Sequence, residues 1–189
     1  SAGPLVIGAK ENESVLGTGA LDEAITPTTI RARLISGRGS NGADAVVIDT
    51  KVVWPSASGK RLYELDFAEG APLPRDLPRL HTEVAGGGFR EITFQVEPEP
   101  RIWGVRQDGQ LAVMLYERIA GVEGWHRYRR GADVWHSIVA HPEPTEDRMM
   151  MVVDRQIGDV TRRFLEVTET ENRSISKRDQ HRLQCVIVY

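Results

Sequence analysis

Three stretches decide the fold: VVWPSASGKRLYELDF from Val52 to Phe67, RIWGVRQDGQLAVMLYE from Arg101 to Glu117, and MMVVDRQIGDVTRRFLE from Met150 to Glu166. Each is a short apolar run, a polar turn closed by Gly59, Gly109 or Gly158, and a second run ending in Phe67, Tyr116 or Phe164. The unit recurs at a spacing of roughly 50 residues, and a repeat of that length is one supersecondary unit that must stack on its neighbours to bury its faces. Several strands per repeat at this period point to propeller blades. Leu5-Val6-Ile7 and Ser14-Val15-Leu16, either side of Lys10-Glu11-Asn12-Glu13, read as a fourth and weaker copy of the hairpin.

The remaining strands follow from pattern. Thr29 to Ile35, Ala45 to Asp49, Phe89 to Val96 and Leu183 to Tyr189 read as extended, and Ser36 to Asp44 as a Gly-, Ser- and Asn-rich loop. Gly121–Arg130 and Val134–Ala140 read as another pair of strands turning at Arg130-Gly131-Ala132. One short helix is predicted near residues 74–84, capped by Asp76 and ended by Gly86-Gly87-Gly88, crossing between blades. Leu111 to Tyr116 and Met149 to Val153 are apolar at every position. Strands of that kind are covered on both faces, as in stacked sheets, whereas a two-sheet sandwich shows cleaner alternation. The expected fold is therefore all-β and β-propeller-like, with about three to four antiparallel blades or part of a larger propeller. Residues 1–189 are expected to form a single domain, a fragment of a longer protein, because the sequence stops inside an apolar strand.

Composition narrows the function classes. Apolar residues at 40% and charged residues at 27% fit a globular chain rather than a disordered one. A net charge of -3 argues against a protein built to grip phosphate backbones. The single Cys185, in the run Cys185-Val186-Ile187-Val188, excludes an internal disulfide and reads as a small buried hydrophobe.

No residue is assigned a catalytic, cofactor-binding or metal-binding role. His126 and His136 each follow a tryptophan, with His141 close by, but a turn at Gly131 intervenes, so a cross-strand aromatic pair outranks a metal site. Trp54 and Trp103 fall in the same slot of successive repeats, which favours packing; with Trp125 and Trp135 they could otherwise form a sugar-stacking platform. Arg127, Arg129, Arg130, Arg155, Arg162 and Arg163 are interspersed with Glu143, Glu146, Asp147, Asp154 and Asp159, giving a mixed-charge surface rather than a DNA-gripping one. Glu97 and Glu99 flank prolines and read as turn residues. Gly86-Gly87-Gly88 lacks the following helix and lysine of a phosphate cradle.

From Ile25-Thr26-Pro27-Thr28-Thr29-Ile30 to Leu165-Glu166 the sequence resembles the nozzle (stem) proteins of short-tailed bacteriophages and prophages. The likeness rests on ITPTTI, Lys60-Arg61-Leu62-Tyr63-Glu64, Gly86-Gly87-Gly88 and QVEPEPRIWGVRQDGQLAVMLYER. It continues in Val122-Glu123-Gly124-Trp125-His126-Arg127, His141-Pro142-Glu143-Pro144-Thr145-Glu146-Asp147 and Arg162-Arg163-Phe164. The resemblance implies a virion structural protein without enzymatic activity, located in the virion tail and made in the bacterial host cytoplasm. It implies a propeller-based ring, typically hexameric, closing the distal end of the tail below an adaptor protein and near tail fibres. The genome passes its bore without specific binding, and no membrane is involved in the free particle. The loops Ser36–Asp44 and His141–Asp147 are the expected contacts with subunits or adaptor, since loops on a rigid scaffold carry binding. The alternative is a carbohydrate-binding or hydrolase-like propeller, or a generic protein-interaction propeller.

Overall fold

The computed structural model describes residues 5–18, 24–67, 73–77, 81–117, 121–128, 131–168 and 186–187. Expectations that fall on Arg129, Arg130, Cys185 and the polar stretch 169–182 lie outside the described residues.

The chain forms four antiparallel sheets, each a meander of strands consecutive in sequence. The first holds β1 (Leu5–Gly8), β2 (Glu13–Gly17) and β3 (Arg31–Ser36). The second holds β4 (Val46–Ile48), β5 (Lys51–Pro55), β6 (Leu62–Asp66) and β7 (Arg75–Asp76). The third runs β8 (Phe89–Gln95), β9 (Arg101–Arg106), β10 (Leu111–Glu117) and β11 (Val122–Tyr128). The fourth runs β12 (Val134–His141), β13 (Arg148–Ile157), β14 (Val160–Val167) and β15 (Val186–Ile187). This is an all-β, propeller-like arrangement of blades. The four hairpins read from the sequence are β1–β2, β5–β6, β9–β10 and β13–β14.

Three apolar cores lie between successive sheets. Val6 and Ile35 of the first sheet pack on Val52, Trp54, Tyr63 and Leu65 of the second. Val53 and Leu62 on the second sheet's other face meet Phe89, Ile102 and Met114 of the third. Trp103, Val105, Leu111 and Val113, on the far face of the third, meet Trp135, Ile138, Met149, Met151 and Val153 of the fourth. Side chains alternate across a strand, so β5 and β9 each feed two cores, which is why these stretches lack polar alternation.

Strand β8 shows how polar residues serve the same stacking. A bulge between Phe89 and Glu91 sets Phe89 and Ile92 on the side of the second sheet. Glu91 and Thr93 turn the other way and accept hydrogen bonds from the backbone N–H groups of Ile138 and Ala140, at 2.8 and 3.2 Å. Arg90 donates to the Trp135 carbonyl at 2.9 Å. The open edge of β12 is thus occupied by side chains of the preceding sheet, which covers groups that would otherwise invite another strand.

Three sequence expectations change. Strands β11 and β12 are not a hairpin: β11 pairs with β10 and β12 with β13. The segment between them crosses from the outermost strand of one sheet to the innermost of the next. The helix is shorter than expected, α1 (Thr82–Ala85), preceded by His81, which makes no side-chain capping hydrogen bond; Asp76 belongs to β7, where it pairs with Tyr63. A two-residue edge strand in a proline-punctuated stretch leaves no periodicity to detect. Finally, Trp54 and Trp103 face opposite ways, Trp54 toward the first sheet and Trp103 toward the fourth.

Candidate functional site

The same coupling joins each sheet to the next. The carbonyl at the hairpin turn accepts a hydrogen bond from the backbone leading into the next sheet. Ser40 N–H donates to Ala9, Phe89 N–H to Gly59 and Trp135 N–H to Gly109, each at 2.8 Å. Gly59 and Gly109 have φ of 71° and 76°, and a Cβ on them would lie 2.7 Å from the Phe89 carbonyl oxygen and 2.5 Å from Val134 Cγ1. Glycine is required twice over, by the left-handed turn and by the close approach of the next sheet. Gly158 sits in the corresponding turn of the fourth sheet with φ of 60°, and among the described residues nothing lies within 4 Å of where its Cβ would be.

Both ends of the stack present apolar faces. On the first sheet Leu5, Ile7 and Leu34 are exposed, Leu34 by 64%. On the fourth, Val139 and Leu165 are exposed and Met150, Val152 and Val167 half-buried; the register brings Val139, Met150 and Val167 side by side. Among the described residues, the interior sheets of the stack have no such bare face.

The stack tapers. Innermost strand β8 touches β4 on one side and β12 on the other. Outermost strands β7 and β11 stand apart across a cleft of about 730 Å³. Arg75 of β7 pairs with Glu123 of β11 across it, and that hydrogen bond is the main cause raising the Arg75 pKa. Asp76 accepts from Arg61 at 2.7 Å, and the Arg38 guanidinium lies 5.5 Å from the centre of the Tyr63 ring. Of the cleft's charged side chains, Arg75 and Glu123 pair with each other and Asp76 with Arg61 outside the lining.

Buried polar pairs accompany the cores. Trp54 Nε1 donates to Glu13 at 3.2 Å across the first interface, and the Tyr116 hydroxyl donates to Glu64 across the second. In the fourth sheet Arg155 bridges Asp133 and Glu166, with Trp135 beneath its guanidinium at 5.3 Å. Hydrogen bonds that Arg155 donates to Glu166 are the largest influence holding the Arg155 pKa above its ordinary value.

The residues singled out from the sequence distribute as follows. Trp54, Trp103 and Trp135 are buried in the cores, so they form no exposed platform. Trp125 is half-buried beside the rim cleft, 5.8 Å from Phe89. His126 and His136 lie in different sheets; burial, with Arg101 as a lesser cause, lowers the His126 pKa. His136 contacts Asp154 at 2.8 Å, and Arg163, then His136, hold the Asp154 carboxyl down to about 2. Arg127 and Arg162 are exposed. No set of three or more His, Cys, Asp or Glu residues converges on a metal-sized site among the described residues. Glu97 and Glu99 sit in the bend between β8 and β9.

The two loops expected to reach partners are tied down within the chain. Asn41 Nδ2 donates to the Phe89 carbonyl at 2.7 Å, so the 36–44 loop touches both the first and third sheets. Asp147 accepts from the backbone of Val96 and Glu97, at 2.6 and 3.2 Å. The turn carbonyls, which sequence reasoning did not single out, are positions where one sheet contacts the next. Only Gly59 and Gly109, in two of the three turns, hinted at them. No family model matches the chain, and no curated protein matches it.

Proposed function

We propose that this chain is a structural wall unit of a ring-forming assembly, and specifically part of the tail nozzle of a short-tailed bacteriophage. The observation that carries the assembly reading is the pair of bare apolar faces at the two ends of a stack whose interior faces are covered. The stack tapers toward β4, β8 and β12, and tapered units added face to face curve into a ring. The specific assignment to a phage tail is supported by the sequence resemblance carried by QVEPEPRIWGVRQDGQLAVMLYER and its flanking motifs.

In this reading the protein works without catalysis. Stacked sheets give a stiff wall, copies surround a bore, and the net charge of -3 leaves DNA free to slide. The partners are other copies of the chain, an adaptor and tail fibres, in the virion tail. Immunogold labelling tests it, with antibodies raised against the purified chain and applied to particles induced from the source strain. Label at the tail tip supports the assignment. Particles with unlabelled tails, or saturable glycan binding by the purified chain that Trp125→Ala abolishes, overturn it in favour of a carbohydrate-binding propeller.

A further inference from the structure

Of the three asparagines in the sequence, one is followed by glycine: Asn41-Gly42, against Asn12-Glu13 and Asn172-Arg173. The pairing has a chemical meaning. The amide carbon of an asparagine side chain is open to attack by the backbone nitrogen of the next residue, and a following glycine puts no side chain in the way. Gly42 is exposed, and among the described residues nothing lies within 4 Å of where its Cβ would be. The attacking nitrogen is therefore unshielded.

The carbon under attack is held in place. Asn41 Nδ2 donates to the Phe89 carbonyl at 2.7 Å, and Asn41 Oδ1 accepts from the Ala43 N–H at 3.0 Å. Together the two bonds clamp the side-chain amide to the first strand of the third sheet. The position is also a junction. A Cβ on Gly59 would lie 2.7 Å from the Phe89 carbonyl oxygen and 3.3 Å from Asn41 Nδ2, and the Phe89 N–H donates to the Gly59 carbonyl. The loop leaving the first sheet, the turn of the second and the start of the third meet at this one amide.

We propose that Asn41 is a site of spontaneous deamidation, gated by opening of this clamp, and that its conversion uncouples the 36–44 loop from the third sheet. Once the clamp opens, the Gly42 N–H gives its proton to solvent and its nitrogen bonds to Asn41 Cγ. The Cγ–Nδ2 bond breaks, and the leaving nitrogen takes a proton from solvent and departs as ammonia. Water then adds to either carbonyl of the succinimide ring, and ring opening gives aspartate or isoaspartate at position 41. The product cannot rebuild the clamp. Where Nδ2 donated, a carboxylate oxygen would face the Phe89 carbonyl oxygen, acceptor against acceptor. Isoaspartate also lengthens the main chain by a methylene. The inference rests on these contacts and stands apart from the tail-nozzle reading.

The full chain is incubated at mildly alkaline pH, well below its melting temperature, beside the capped peptide GRGSNGADAV covering residues 37–46. Peptide mapping by mass spectrometry follows the exchange of amide for acid. Asn41 is expected to convert in both, about tenfold more slowly in the chain because the loop must open first, while Asn12 stays intact. Urea added below the unfolding transition should narrow that gap. Asn41→Asp, standing in for the product, is expected to fold and to melt about 2–4 °C or more below the parent chain. Equal rates in chain and peptide overturn the proposal, as does an Asn41 that outlasts Asn12 in the chain. An Asn41→Asp variant as stable as the parent overturns it too, since conversion would then uncouple nothing.

Discussion

The hydroxyl of Tyr116 on β10 donates a hydrogen bond to the carboxylate of Glu64 on β6, inside the core that joins the second and third sheets. It is a polar contact between two blades beside an apolar core, with Arg75, the register partner of Glu64, close enough to feel its charge. Removing one partner of a buried hydrogen bond costs the desolvation of the other. Tyr116→Phe is expected to destabilise the chain by about 1–3 kcal/mol, measured as a shift of the urea midpoint at unchanged slope. A loss of under about half of the lower figure would show that Glu64 is satisfied without its tyrosine.

The turn glycines form a graded series. All three have positive φ, so alanine at Gly158 meets backbone strain alone and is expected to cost about 1–2 kcal/mol. Gly109→Ala adds a clash with the Val134 side chain, which can shift. Gly59→Ala adds a clash with the Phe89 carbonyl, which is held in a strand. The predicted order of destabilisation is Gly59, then Gly109, then Gly158, read by thermal denaturation of the three variants. Equal losses at all three would mean that the next sheet does not press on the turns.

The surroundings of His126 predict a pH dependence of stability. Although His126 is exposed, partial desolvation of its ring, with the Arg101 charge as a lesser cause, lowers its folded-state pKa below the ordinary 6.5, so on acidification through that value the unfolded chain takes up a proton that the folded chain resists. Its contribution to stability is complete above pH 6.5 and declines below it. Urea midpoints at pH 7.5 and pH 5.5 should differ less in His126→Gln than in the parent chain. An unchanged difference would place the sensitivity elsewhere.

Arg155 lies between Asp133 and Glu166, and the arginine and Glu166 side chains are 8% and 1% exposed. Breaking a buried ion pair from one side leaves a charge without its counterpart. Glu166→Leu is expected to cost about 3 kcal/mol or more, while Arg155→Met with Glu166→Leu should recover part of that loss. The double-mutant cycle measures the coupling directly. Additive losses would show that the pair contributes nothing beyond packing.

Much of this architecture is legible in the sequence. The hairpins declare themselves because a glycine turn sits between apolar runs, and Leu111–Tyr116 announces its double burial by having no polar position. Pairing between sheets is less legible. Gly131 between β11 and β12 looks like any hairpin turn, and nothing local distinguishes a turn within a sheet from a crossing between sheets. Trp54 and Trp103 illustrate a finer limit: Gly59 and Gly109 align one residue differently from the two tryptophans, and a one-residue slip in a strand reverses the face. The polar alternation of β8 reads as solvent exposure, yet Glu91 and Thr93 serve the backbone of the neighbouring sheet. The turn carbonyls are backbone groups common to every residue, so the sequence carries only the glycines that permit two of the approaches, Gly59 and Gly109, and nothing at Ala9.

The rim cleft between β7 and β11 has a mechanical consequence. With β8 wedged against β4 and β12, the stack resembles a folding fan whose ribs are fastened at the handle and held at the outer ends by a solvent-accessible Arg75–Glu123 clasp. Salt screens such a clasp but leaves the apolar handle intact. The fan should therefore spread as ionic strength rises, and its girth should be adjustable without unfolding. Small-angle scattering would record this as a radius of gyration that grows with salt, and a radius indifferent to salt would mean the ribs are locked.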